Sequence, residues 1–157
     1  MEKLNFETIR LEDMTRKAAA SFAEKPRQVV LVADDEEVVA DTLVAILQRA
    51  GFRALAAYDA YSALEIAKSV SLDLLLSDVA MPGMNGIELA VAIEAIRPDC
   101  KILLFSAQAP LTDLLAESHK RGRDFPLLAK PLHPAILLAH ITEILASRTM
   151  GNVIEIS

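Results

Sequence analysis

Tryptophan is absent from this chain, and cysteine occurs once, at Cys100. A single thiol cannot form an internal disulfide, so the fold is held by its core, as suits a reducing cytoplasm. At the start of an apolar run, Cys100 reads as a small core residue. No apolar run approaches the roughly 18 residues of a membrane helix. The amino terminus carries Glu2, Lys3, Glu7, Arg10 and Glu12 where a signal peptide would have an apolar core, so no export is implied. A basic excess is missing too. The 16 Lys and Arg face 22 Asp and Glu, a net charge of −6, which argues against nucleic acid as a direct partner. What the chain does have is apolar residues, 53% of 157, rich in Ala, Leu, Ile and Val. That is enough for the core of one domain with some chain left over.

Those apolar residues alternate between two periods. Residues 29–33, VVLVA, form a continuous run of the kind that a parallel strand buried on both faces requires. Over 36–50, Val39, Leu43, Ile46, Leu47 and Ala50 recur at helical spacing, and Gly51 follows as a C-terminal cap. The pattern repeats. Strands are expected at 52–57, 72–77, 101–105 and 126–129, each reading as doubly buried. Helices are expected at 60–69 behind Asp59 as N-cap, at 86–96 between Asn85 and Pro98, at 111–121 before Gly122, and at 134–147 with Pro134 in its first turn. Five strand–helix repeats with short connections have one economical solution. Right-handed crossovers give an α/β doubly wound parallel sheet with helices on both faces.

In such sheets the chemistry sits beyond the carboxyl ends of the strands. The stretch 72–86, LDLLLSDVAMPGMNG, delivers Asp78 to such an end and then turns at Pro82, Gly83, Asn85 and Gly86. The first strand ends on Asp34 and Asp35, the fourth on Ser106, and the fifth on Lys130 followed by Pro131. If the first and third strands are neighbours, three carboxylates converge. Two like charges about 4 Å apart repel by roughly 4 kcal/mol at an effective dielectric near 20, so the cluster calls for a cation or for protons.

This ordered set resembles the receiver domain of two-component response regulators: an acidic pair after strand one, an aspartate in DVAMPGMNG, Ser-Ala after strand four and Lys-Pro after strand five. The resemblance covers residues 28 to about 147 and implies a flavodoxin-like (βα)5 fold with strand order 2-1-3-4-5. It makes Asp78 the phosphoacceptor, which attacks a histidine-bound phosphoryl group and becomes an acyl phosphate. Asp34, Asp35, Asp78 and the backbone carbonyl of Ala80 are then expected to hold Mg²⁺. Lys130 is expected to pair with Asp78 and the phosphoryl oxygens, and Ser106 to donate its hydroxyl to one of them. Pro131 is expected to follow Lys130 through a cis peptide. The implied partners are a sensor histidine kinase or a phosphotransfer protein as donor, and a downstream protein that reads the last two helices and the strand between them. Such a domain is a phosphoacceptor and no enzyme beyond assisting its own phosphorylation and dephosphorylation.

The chain departs from the family where an aromatic residue usually stands three before the lysine. That position is Leu127, so the usual aromatic switch is not expected. Phe125 could substitute for it or pack in the core. Other readings are a degenerate receiver that binds proteins without phosphorylation, and an aspartyl-phosphate hydrolase. The intact Asp, Ser and Lys set opposes the first. Ala80, standing where the hydrolase needs a second aspartate, opposes the other. A flavin or nucleotide binder would want a glycine-rich first loop, whereas DDEEV repels phosphate. Outside the receiver lie an extension over 1–26 and a tail over 148–157. In the extension Leu4, Leu11, Met14, Ala18 and Phe22 fall on one helical face. That face suits a partner or a homodimer, although a segment so short is barely stable alone. The chain stops some ten residues after its last helix, and a stand-alone receiver is expected.

Overall fold

The structure is a computed structural model that describes residues 26–107, 116, 119–120 and 124–147. Its elements are β1 (Val29–Ala33), α1 (Glu37–Arg49), β2 (Arg53–Ala57), α2 (Ala60–Ser69), β3 (Leu74–Asp78), α3 (Gly86–Ile96), β4 (Lys101–Ser106), β5 (Leu127–Ala129) and α4 (Pro134–Ala146). All but the last residue of the extension expected over 1–26, and the whole tail over 148–157, lie outside the described residues. So does the helix expected over 111–121, apart from residues 116, 119 and 120.

The five strands form one parallel sheet in the order β2-β1-β3-β4-β5, the flavodoxin-like order. Because side chains alternate across a strand, each continuous apolar run serves two cores. Leu31, Ala33, Leu75, Ile102 and Leu104 face α2 and α3, meeting Ala60, Ala63, Ala67, Ile87, Leu89, Ala90 and Ile93. Val30, Val32, Leu74, Leu76, Leu103 and Phe105 face the other way, onto Ala40, Leu43 and Leu47 of α1 and Leu137 and Ile141 of α4. Helices therefore cover both faces.

Burial on both faces holds only for the inner strands β1, β3 and β4. In β2, Arg53 is exposed and Leu55 and Ala56 are half-buried; in β5, Leu127 and Leu128 are half-buried and Ala129 is exposed. Both are edge strands with a neighbour on one side only, so their apolar runs are less enclosed than the sequence pattern implies. The helix starts match their cap residues. Asp59 accepts a 2.7 Å hydrogen bond from the Ser62 N–H. Asn85 accepts from the Glu88 N–H at 2.8 Å while the Glu88 carboxylate accepts from the Asn85 N–H at 2.9 Å, a complete capping box. Gly51 closes α1 at φ +99°, a left-handed conformation that favours glycine. Among the described residues no helix is long and apolar enough to cross a membrane.

Two strand ends differ by a residue from the expected ones, and both changes matter. β3 runs to Asp78 and β4 to Ser106, so each of these polar residues is the last of its strand. Ladder hydrogen bonds, not side-chain polarity, decide where a strand stops. The Val79 N–H still donates to the Phe105 carbonyl at 2.9 Å, which extends the β3–β4 pairing past the aspartate.

Candidate functional site

The register of the sheet assembles the site. Val30 lies beside Leu74 and Val32 beside Leu76; carried on by two residues, this pairing sets Asp34 level with Asp78. Asp78 in turn pairs with Phe105, and Phe105 with Leu128. Alternation puts Asp34, Asp78 and Phe105 on the same face as Val32, Leu76 and Leu103, the face covered by α1 and α4. Lys130, two residues beyond Leu128, shares that face and reaches back along the row.

Its ammonium stands 3.4 Å from Asp34 Oδ2 and 3.6 Å from Asp78 Oδ2. Asp34 is fully buried, and its Oδ1 accepts a 2.9 Å hydrogen bond from the Glu36 N–H. Asp35 beside it is exposed. Asp78 is 6% exposed, and its Oδ1 accepts from the Ala80 N–H at 3.3 Å. One carboxylate oxygen from each of Asp34, Asp35 and Asp78 lies within 4.8 Å of the others. The acidic pair after β1 and the aspartate that ends β3 thus converge, as the sequence suggested.

Burial dominates the electrostatics. Loss of water, reinforced by the Asp34 charge, pushes Asp78 from the ordinary 3.8 up to about 6, against the opposing pull of Lys130 and the Ala80 N–H. Burial likewise raises Asp34, while the Glu36 N–H and Lys130 hold it down. One ammonium does not balance three carboxylates, and this acidic cluster could hold a metal ion.

Ser106, 2% exposed, closes β4 opposite Ala129. Its carbonyl accepts the Lys130 N–H at 2.9 Å, which ties the lysine backbone to the end of β4. The Lys130–Pro131 peptide is cis. Leu127 is half-buried opposite Leu104 and packs on the α2/α3 core, and Phe125, 6% exposed, belongs to that same core. The side of Ala80 is exposed, and its backbone N–H is what meets Asp78.

Two further residues shape the site without having been singled out for it. A side chain at Gly86 would run into the Asp78 carbonyl and the Val79 Cα, so only glycine lets α3 begin against the strand end. There the Gly86 N–H donates to the Val79 carbonyl at 2.9 Å. Phe105 is the other: its ring centroid lies 5.0 Å from the Lys130 ammonium. In the sequence, Asn85–Gly86 signals only a turn and a helix start, and Phe105 signals only a core strand.

The family model of the response regulator receiver domain matches residues 30–142. The chain belongs to the response regulator receiver family. Receivers are signalling modules of two-component systems. This one is 34% identical over 116 residues to the response regulator receiver protein CpdR of Brucella abortus, covering 74% of this chain and 95% of that protein. Among solved structures it resembles a CheY-like receiver domain protein of Methanospirillum hungatei, with 28% identity and a TM-score of 0.69 over 76% of this chain and 94% of that one. A response regulator of Burkholderia pseudomallei, solved with a phosphorylated aspartic acid, a calcium ion and citrate, is 27% identical with a TM-score of 0.66, over 82% of this chain and 71% of that one. Of other curated relatives, the receiver spans only 24% to 51% of the length.

Proposed function

We propose that this receiver accepts a phosphoryl group on Asp78 from a histidine kinase or a phosphotransfer protein in the cytoplasm. The observation that carries the proposal is the convergence of Asp34, Asp35 and Asp78 around the Lys130 ammonium at the carboxyl ends of β1, β3 and β5. An Asp78 oxygen attacks phosphorus as the phosphorus–nitrogen bond to the donor imidazole breaks and its electron pair leaves with the nitrogen. The product is an acyl phosphate. Most of the protein's work in such a transfer is positioning and charge neutralisation.

The donor set suits Mg²⁺, because it is all oxygen, has few carboxylates and leaves room for waters and substrate oxygens. Asp34, Asp35, Asp78 and the Ala80 carbonyl would hold the ion, which when bound offsets the charge of the carboxylates and of the incoming phosphoryl oxygens. Lys130, already beside Asp34 and Asp78, shifts its pairing towards those oxygens as the Asp78 charge is consumed. Ser106 donates its hydroxyl to one of them. With Leu127 in place of an aromatic residue, the change leaves the site through packing around β5 and α4 and through the helix expected over 111–121, to be read by a downstream protein. Nothing in this chemistry turns over a second substrate, so the domain acts as a switch and not as an enzyme.

Mass spectrometry after incubation with acetyl phosphate and Mg²⁺ tests this reading. The chain should gain one phosphoryl group, Asp78→Ala should gain none, and Asp34→Ala with Asp35→Ala should lose the dependence on Mg²⁺. Undiminished labelling of Asp78→Ala would refute the assignment.

A further inference from the structure

We infer that Phe105 is a positioning residue for Lys130, holding the ammonium over the aromatic face so that its hydrogens stay available to the phosphoryl oxygens. This rests on the function proposed above and adds a residue to it. The ammonium lies 3.4 Å and 3.6 Å from its two carboxylate partners, well beyond the 2.7–2.9 Å of a tight charge-assisted hydrogen bond. It donates one long hydrogen bond to Asp34 and forms only an ion pair with Asp78, so neither carboxylate holds it tightly. The third group near it is the Phe105 ring, 5.0 Å from ammonium to centroid and within the roughly 6 Å over which a ring face attracts a cation.

The ring is well placed for that task. Phe105 is fully buried, is paired with Asp78 on one side and Leu128 on the other, and sits among Leu76, Leu103, Leu137 and Ile141, so it cannot swing away. The Lys130 side chain is 18% exposed. A mostly desolvated ammonium gains more from a ring face than one in water does. Such a contact has no donor–acceptor geometry to satisfy. The lysine can turn its hydrogens from the Asp78 carboxylate to a phosphoryl group without losing its support. A leucine or valine here would keep the position apolar, though smaller, and leave the ammonium held only by two loose ion pairs, one of which the reaction removes.

The test uses the full chain with phenylalanine at position 105 replaced in turn by its 4-fluoro, 3,5-difluoro and 3,4,5-trifluoro analogues, alongside Phe105→Leu. Fluorination keeps the shape of the ring and progressively weakens its negative face, which a purely packing role would not register. Two readouts are followed: the chemical shift of the Lys130 ε-methylene protons in metal-free protein, and the rate of phosphoryl incorporation from acetyl phosphate with Mg²⁺. Expected are an upfield ring-current shift in wild type that is lost in Phe105→Leu, a stepwise fall in rate along the fluorinated series, and a loss of roughly tenfold for leucine. Unshifted Lys130 protons in wild type, or equal rates across the folded fluorinated series, would overturn the inference. A wild-type chain that takes no phosphate refutes the proposed function instead, and the proton shifts then decide by themselves whether the ring holds Lys130.

Discussion

Replacing Asp78 by asparagine should make the metal-free protein more stable at neutral pH, although it removes the residue on which the proposed chemistry depends. The folded state raises the Asp78 pKa from 3.8 to about 6, chiefly by burial and next by the Asp34 charge. A carboxyl whose folded pKa lies above its unfolded one favours folding least where it must be ionised in both states. Well below pH 3.8 both states are protonated and the group costs nothing. As pH rises through the window between 3.8 and about 6, the unfolded chain ionises first, and the folded protein loses relative stability until Asp78 ionises too. At about 1.4 kcal/mol for each tenfold in proton affinity, the loss levels off near 3 kcal/mol. Asparagine keeps the shape and discards the charge. In urea titrations with a chelator at pH 7.5, Asp78→Asn should gain roughly 2–3 kcal/mol, or about 10 °C in melting temperature for a domain of this size. At pH 4 the gain should shrink below about 1 kcal/mol. Mg²⁺ should stabilise the wild type far more than the variant, by mass action. A variant less stable than wild type at pH 7.5, or a gain equal at both pH values, would refute the electrostatic account of the site.

Gly86→Ala forces a methyl group onto the Asp78 carbonyl and should cost roughly 2–3 kcal/mol in urea unfolding; an unchanged midpoint would show that α3 can retreat freely. Leu75→Asp, fully buried in the central strand, should prevent folding, because an unpaired core charge costs several kcal/mol against a total of about 5–15; a soluble variant with a cooperative melt by circular dichroism would contradict this. Ser106→Ala should weaken the response more than the phosphorylation. In hydrogen exchange with and without a stable phosphoryl mimic, the wild type should show changes across β5 and α4 and the variant should lose them; changes confined to the loops around Asp34, Asp78 and Lys130 would refute the proposed output surface.

Much of this arrangement is legible in the sequence, because it depends on local chemistry. Asp59 and Asn85 mark helix starts, since a short polar side chain before an apolar period has one common use. The apolar runs of β1, β3 and β4 end on Asp34, Asp78 and Ser106 by the same logic that displays them. What escaped depends on neighbours across the sheet. The runs that became β2 and β5 resemble inner strands, and only their places at the sheet edges leave them half exposed. Adjacent aspartates look equivalent on paper, yet strand parity buries Asp34 and leaves Asp35 in solvent. The ring of Phe105 comes to lie under Lys130 through two parallel registers, a relation between residues 25 positions apart that no local pattern contains.

The buried Asp34 serves two masters, since one oxygen fastens the Glu36 N–H at the entrance to α1 while the other faces Lys130. The β1–α1 loop is therefore wound into shape by the very carboxylate that is proposed to hold the ion. Its conformational freedom is surrendered during folding, and loading the site has little left to order. Ion uptake should then proceed without a loop rearrangement and with a small heat-capacity change. Asp34→Ala, which removes the acceptor of the Glu36 N–H, should be felt first as a slackening of the opening turn of α1.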